Sequence, residues 1–232
     1  LGAGRVTPSA YVTLEHEYIL MFRNGKQSRS FKPGSQQRYE AAYFWEERNR
    51  WFSDVWTDIT GKLQSIEHSD LRERSAAYPF EIPYRLINMY SVYGDTVLDP
   101  FWGTGTTSFA AMVAGRNSIG YELNEEFAEL FQQRLEESQR YSREVVKQRL
   151  SEHTDFVEKR LADGGEFSYK SDRYEFPVTT KQEKHIQFYS ISDIEHREDG
   201  YRLSHEPVTQ TDSDTHMENH TQAHQNQAAS LS

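Results

Sequence analysis

The pattern of apolar and polar residues is clearest between residues 97 and 123, where it predicts a strand, a turn, a helix and a second strand. The first apolar run closes at Leu98, and Pro100 stops it because proline cannot donate to a strand ladder. A helix then begins at Thr106 and ends before Gly115, as helices commonly do at glycine. The segment therefore predicts a β-α-β unit.

Helical periodicity continues on both sides of this unit. Upstream, Pro83 suits the first turn of a helix, and one face of that helix would carry Ile82, Leu86, Met89 and Tyr90. Downstream, Asn124 is a good N-cap for a further helix, whose apolar stripe would be Phe127, Leu130, Phe131 and Leu135. Near the start of the chain, the apolar residues 18–22 are rich in strand formers and predict a strand.

The pattern weakens after residue 137. Residues 138–161 are highly charged with sparse apolar positions, which indicates a solvated helical extension. Short edge elements are expected at 176–180 and 185–189. From 204 the chain is rich in His, Gln, Asn, Thr, Ser and Asp, so we expect residues 204–232 to be a disordered tail.

Composition narrows the class of protein. The 232 residues allow one domain plus a tail. The absence of cysteine excludes disulfides, thiolate zinc sites and a cysteine nucleophile. No run of eighteen apolar residues occurs, so we expect a soluble, cytoplasmic protein without membrane association. The net charge of −10 opposes unspecific binding of nucleic acid, so contact with DNA would need a local basic patch.

The turn of the β-α-β unit predicts a site for a nucleoside cofactor. Gly103 and Gly105 allow a ligand to approach the backbone, the following helix offers free amide groups, and Glu122 can accept hydrogen bonds from ribose hydroxyls. A dinucleotide fingerprint would need a third glycine, where this chain has Ser108. A phosphate-binding loop would need a lysine, and the turn has none.

The pattern that fits is D-P-F-x-G-x-G-T-T, followed by G-R-N-S-I-G-Y-E-L. It closely resembles the S-adenosylmethionine site of the amino-methylating DNA methyltransferases, which modify cytosine N4 or adenine N6. The resemblance implies an α/β fold with a partial Rossmann-like methyltransferase sheet. It assigns a cofactor role to the following residues: Tyr78, Phe80, Asp99, Phe101, Gly103, Gly105, Thr106, Thr107, Glu122 and Leu123.

Each of these residues has a specific implied role. The turn from Asp99 to Gly105 would surround the methionine and ribose, and Thr106 and Thr107 would cap the helix and bond the cofactor carboxylate. Leu123 would offer an apolar surface to adenine. Tyr78 and Phe80 either line the methionine side or belong to the core, and a contact between Trp102 and ligand stays open.

The order of the segments is similar to that of the family's beta class, whose catalytic loop, (S/D)-P-P-(Y/F), precedes all of them. None of the seven prolines in this chain are adjacent. The chain is therefore interpreted as the C-terminal portion of a methyltransferase, with no catalytic residue assigned. Its predicted parts are a methyltransferase domain over 1–137, with the cofactor-binding part at 76–137, then an extension over 138–203 and the tail.

Residues 24–75 correspond to the place where the family holds an inserted recognition segment. Arginines alternate there with aromatic residues between Tyr39 and Trp56, which suits backbone contact and base stacking. The alternative is a small core belonging to the inserted segment, and the two roles are compatible. Glu15, His16 and Glu17 suit a strand edge better than a metal site, and no metal site is predicted.

These observations favour a site-specific DNA methyltransferase of a restriction-modification system, with cytosine N4 preferred over adenine N6. The expected partners are S-adenosyl-L-methionine, double-stranded DNA and a separate N-terminal catalytic half. The main alternative is a truncated, catalytically inactive remnant that binds cofactor or DNA only. A methyltransferase acting on RNA or a small molecule fits the upstream segments less well.

Overall fold

The computed structural model describes residues 16–27, 29–59 and 78–209, and divides the chain into two units, Leu1–Lys32 and Pro33–Ser232. The described residues of the first unit contain no helix or strand. Residues 18–22 therefore do not form the predicted strand. Strand-forming composition shows only that a segment suits a pleated surface, and a strand also needs a hydrogen-bonded partner.

The described part of the second unit contains five α-helices, one short 3₁₀ helix and six strands. The helices are α1 (Gln36–Glu40), α2 (Trp45–Trp51), α3 (Glu81–Tyr90), α4 (Thr106–Val113) and α5 (Glu125–Ala162). The 3₁₀ helix is Glu183–His185. The strands are β1 (Thr96–Asp99), β2 (Asn117–Gly120), β3 (Tyr169–Lys170), β4 (Pro177–Val178), β5 (Tyr189–Arg197) and β6 (Gly200–Pro207).

Strands β1 and β2 are parallel and are joined through α4, which confirms the predicted β-α-β unit and a partial Rossmann-like α/β fold. The register pairs Leu98 with Ile119. Val97 packs against the core that contains α4, whereas Leu98 and Ile119, on the other face, are 60% and 50% exposed. The unit thus covers one face of its two-stranded parallel sheet.

Helix α3 forms at the predicted place but buries a different face. Its buried side carries Tyr84, Ile87 and Asn88, whereas Tyr90 of the predicted apolar face is 61% exposed. Apolar residues occur around most of this helix, so periodicity alone could not select the side that packs. The contact with α4 selects it.

Helix α5 starts as predicted, with the Asn124 side chain accepting from the Glu126 amide, and Phe127, Phe131 and Leu135 are buried. It continues without a break through the predicted boundary at 137. Its second half is not a solvated extension, because one face stays buried. That face carries Ser138, Ser142, Val146, Arg149, Leu150, His153 and Val157. These positions continue the stripe at helical spacing, and four of the seven are polar, which a search for apolar residues overlooks.

A second core cluster lies along this part of α5. It contains Phe44, Val146, Leu150, Tyr174, Val178, Ile186 and Phe188. Strands β5 and β6 form an antiparallel hairpin with an irregularity between Ile191 and Asp193. Strand β6 extends past the predicted start of the tail at 204, and residues 210–232 lie outside the described residues. In the ranges that the structure describes, no helix has the length and apolar character needed to cross a bilayer.

Candidate cofactor site

The turn between β1 and α4 depends on two glycines with positive φ. The Gly105 amide donates to the Trp102 carbonyl at 2.9 Å, and φ is +51° at Gly103 and +73° at Gly105. A Cβ placed on Gly103 would have only the Phe101 carbonyl nearby, at 4.0 Å, whereas one on Gly105 would collide with Phe131. Gly103 therefore borders open space where a ligand can approach, and Gly105 is required by packing.

Glu122 connects the glycine turn with the segment that follows β2. One carboxylate oxygen accepts from the Gly103 amide at 2.8 Å, and the other accepts from the Leu123 and Asn124 amides, both at 2.9 Å. The hydrogen bond from Asn124 is the largest cause of a lowered pKa at Glu122, so its carboxylate is ionised at neutral pH. Because a carboxylate has about four acceptor positions, capacity remains for a further donor.

Tyr78, Asp99 and Thr107 come together beside the turn. The Tyr78 hydroxyl bonds the Thr107 hydroxyl and lies 3.5 Å from the Asp99 carboxylate, whose other oxygen accepts from the Phe101 amide at 3.0 Å. Burial raises the pKa of Tyr78, and the negative charge of Asp99 acts in the same direction. The phenol therefore remains a neutral donor at this edge of the site.

The two threonines do not cap α4 as expected. The N-cap is Gly105, in the left-handed conformation, and Thr106 and Thr107 are the first two helical residues. The Thr106 side chain is buried, so only Thr107 faces Tyr78. The first-turn amides of α4 have no acceptor within the helix and remain suited to an anionic group.

Three other residues predicted to contact the cofactor lie in different environments from one another. Leu123 and Phe101 are almost fully exposed at the edge of the site. Phe80 instead stacks on Tyr84 at 5.1 Å and contacts Tyr141 edge to face at 5.0 Å. This packing favours the core role among the two considered for Phe80.

Trp102 turns away from the open side of the turn. Its indole N–H donates to the Ser108 hydroxyl at 2.7 Å, and its ring lies 4.7 Å from that of Phe131. The ring also occupies the space next to Gly120, where an added Cβ would collide with it. Ser108, at the position of the missing third glycine, thus serves as an acceptor for Trp102.

Sequence reasoning missed Arg134. From α5 its guanidinium donates to the Thr104 carbonyl at 3.2 Å and to the Thr106 hydroxyl at 3.1 Å. A signal existed, since Arg134 lies seven residues after Phe127, on the face that carries the apolar stripe. The arginine thus ties α5 to the end of the turn and to the first residue of α4.

The described part of the inserted segment, 24–27 and 29–59, contains both a core and an exposed basic surface. Phe44 and Trp51 are buried, which supports the small-core alternative. Arg38 and Arg48 are exposed and lie near Tyr43, whose pKa is raised by burial but lowered by the charges of both arginines. Neither arginine forms an ion pair with another described residue.

A family model described as DNA methylase, covering N6 and N4 methyltransferases, matches residues 4–133. The type II methyltransferase M.MthZI of Methanothermobacter thermautotrophicus is 53% identical over 191 residues, or 82% of this chain and 52% of that relative. M.MjaI of Methanocaldococcus jannaschii is 52% identical over 58% of this chain and 43% of its own length. The chain thus spans about half the length of these relatives.

A crystal structure of a DNA modification methylase from Thermus thermophilus, in complex with S-adenosyl-L-methionine, is 38% identical. The match covers 56% of this chain and 48% of that protein, with a TM-score of 0.47. The family model spans more than half of the 232 residues, including the turn, Glu122 and the start of α5. This chain belongs to the N6/N4 DNA methylase family.

Proposed function

We propose that the turn at 99–107, Tyr78 and Glu122 bind S-adenosyl-L-methionine. The observation that carries this proposal is the position of Glu122, whose carboxylate accepts from the Gly103 amide while Gly103 borders open space. In this arrangement the remaining acceptor position of Glu122 receives a ribose hydroxyl, and the first-turn amides of α4 face the carboxylate of the amino acid. Leu123 supplies an apolar surface for adenine.

The chemistry of the donor set fits this group. S-adenosyl-L-methionine supplies an activated methyl group when bound, and its polar parts are hydroxyls, a carboxylate and an amine. The site offers a carboxylate with acceptor capacity, the first-turn amides of α4, which have no acceptor within the helix, and the Asp99 carboxylate beside the Tyr78 hydroxyl. This chain's part in the reaction is thus to hold and orient the methyl donor, since much of such catalysis is positioning.

Isothermal titration calorimetry of the purified chain tests the binding proposal. We expect weak binding of S-adenosyl-L-methionine with one site per chain. Adenosine triphosphate is the matched comparison because it shares the nucleoside but carries phosphates, for which the turn has no lysine. Absence of heat with S-adenosyl-L-methionine, from protein that melts cooperatively, would contradict the proposal.

We further propose that the whole enzyme transfers the methyl group to an exocyclic amine of a base in double-stranded DNA, with cytosine N4 preferred over adenine N6. Such an activity operates in the cytoplasm, where the DNA of a restriction-modification host lies. The exposed pair Arg38 and Arg48, beside the aromatic Tyr43, is the local basic patch that a chain of net charge −10 needs for contact with phosphates. The base preference rests on the resemblance of residues 10–20 alone.

A separate catalytic half is the second part of this proposal. Parallel sheets are normally covered on both faces, yet Leu98 and Ile119 are exposed on the face opposite α4. The matched segments make up only about half of these relatives, which therefore hold further residues that could cover it. We propose that a polypeptide with the (S/D)-P-P-(Y/F) loop covers this face and completes the site.

The alternative function is cofactor or DNA binding without turnover, and the absence of adjacent prolines favours it for this chain alone. We therefore expect no transfer of labelled methyl groups to DNA. Incubation with tritiated S-adenosyl-L-methionine and mixed-sequence duplex DNA checks this, with intact M.MthZI as the positive control. Incorporation by this chain alone would show that it contains catalytic residues outside the expected loop.

A further inference from the structure

We propose that Trp102 is a positioning residue for the cofactor site, acting through the peptide of Gly103 on Glu122. This inference rests on the proposed cofactor function and adds a residue to it. Trp102 directly precedes Gly103, whose amide donates to Glu122 at 2.8 Å. Any shift of the Trp102 backbone therefore changes the distance between the turn and the carboxylate.

The backbone of Trp102 is held from two directions. Its amide donates to the Tyr121 carbonyl at 3.0 Å, which ties the turn to the residue directly before Glu122. Its carbonyl accepts from the Gly105 amide at 2.9 Å, which closes the turn before α4. Trp102 thus links the segment that carries Glu122 with the start of the helix.

The side chain sets the orientation of this backbone. The indole N–H donates to Ser108 in α4 at 2.7 Å, and the ring packs on Phe131 of α5 at 4.7 Å. The same ring fills the space beside Gly105 and Gly120, at both of which an added Cβ would approach it more closely than real contacts allow. Few other side chains could both fill this volume and donate to Ser108.

Neighbouring residues of the turn therefore have different roles. The residue after Trp102 faces the open side, whereas Trp102 itself anchors the turn to β2, α4 and α5. In this proposal Trp102 does not contact the cofactor itself. It holds the Gly103 amide and the Glu122 carboxylate at the spacing that leaves one acceptor position of that carboxylate for the ribose.

Two substitutions test this role while keeping most of the packing. Trp102→Phe keeps an aromatic ring and removes the N–H, and Ser108→Ala removes only the acceptor. Trp45→Phe is the matched control, since Trp45 is 39% exposed on α2 and makes no hydrogen bond through its indole to a described residue. Loss of one neutral hydrogen bond predicts that each test variant weakens S-adenosyl-L-methionine binding about fivefold, while Trp45→Phe leaves it unchanged.

Amide hydrogen exchange of Gly103, followed by NMR, separates positioning from general stability. A residue that only stabilises the fold would not change the exchange rate at Gly103 selectively. We expect faster exchange at Gly103 in both test variants, with unchanged exchange along the second half of α5 and nearly unchanged melting temperature. If Trp102→Phe does not fold, Ser108→Ala decides the question because it leaves the ring in place.

The inference is overturned if both variants bind S-adenosyl-L-methionine as wild type does, or if exchange accelerates evenly across the protein while affinity stays constant. A second-site substitution that removes a steric clash with the Trp102 ring provides a second test. Gly120→Ala forces a Cβ against the Trp102 ring, so combining it with Trp102→Leu should recover part of the affinity lost in Gly120→Ala. Should wild type fail to bind the cofactor, the proposed function fails, and the exchange rate of Gly103 still reports whether Trp102 holds the turn.

Discussion

Replacing Glu122 by alanine is expected to abolish measurable binding of S-adenosyl-L-methionine. The substitution removes the acceptor for the ribose hydroxyls and leaves the amides of Gly103, Leu123 and Asn124 without their carboxylate. A hydrogen bond to a charged group contributes about 1.5–3 kcal/mol, so loss of the bond to the ribose alone should lower the affinity by about 10- to 150-fold. Calorimetry on the folded variant measures the loss.

Glu129→Ala is the matched control, because Glu129 is an exposed carboxylate on α5, close in sequence to Glu122. It changes the net charge equally and should leave the affinity unchanged. Gly103→Val should also abolish binding, by a different route, since a β-branched residue is strained at a φ of +51° and its side chain would enter the open space. Equal affinity in wild type, Glu122→Ala and Gly103→Val would refute the site.

The largest effect on stability is expected from Glu47→Ala. Glu47 and Arg149 form a buried ion pair with two contacts, at 2.5 and 2.7 Å, and Arg149 also donates to the Tyr84 hydroxyl at 3.2 Å. Burial by itself lowers the pKa of Arg149, but attraction to Glu47 outweighs it and the pKa is raised overall. Removing Glu47 would leave a buried, uncompensated cation.

Loss of one partner from a buried ion pair costs about 3–5 kcal/mol, a large fraction of the ordinary stability of a domain. Urea unfolding of Glu47→Ala measures this loss. Glu152→Ala is the comparison, because Glu152 pairs with Arg50 at 2.7 Å on the surface, where such pairs contribute about 0–1 kcal/mol. The double variant Glu47→Leu with Arg149→Met should be more stable than Glu47→Ala, since neither charge then remains buried. A loss for Glu47→Ala no larger than that for Glu152→Ala would contradict this account.

The inserted segment shows why the ion pair was not foreseen. Glu47 and Arg149 are 102 residues apart, and each occurs in a charged stretch that suits a solvated helix face. Next to them, His153 is fully buried between Glu46, at 2.7 Å, and the Pro177 carbonyl, at 3.0 Å. The burial of these residues depends on which helix faces meet, and no local pattern carries that information.

The site shows the opposite case, because its parts are close in sequence. The sequence by itself determined the β-α-β unit, the turn with Gly103 and Gly105, the acidic residue Glu122 and the Asn124 cap. Each of these follows from short-range physics: glycine adopts positive φ without strain, proline ends a ladder, and a side-chain acceptor such as that of Asn124 favours a helix start.

Only the tertiary structure decided which helix faces are buried and which residues from outside the predicted set hold the turn in place. It turned the α3 face with Tyr84 inward, continued the buried stripe of α5 to Val157, and placed Trp102 and Arg134 against the turn. The reason is physical: burial and long-range hydrogen bonds are properties of pairs of surfaces. A sequence pattern describes one surface at a time, and its partner is known only when the chain has folded.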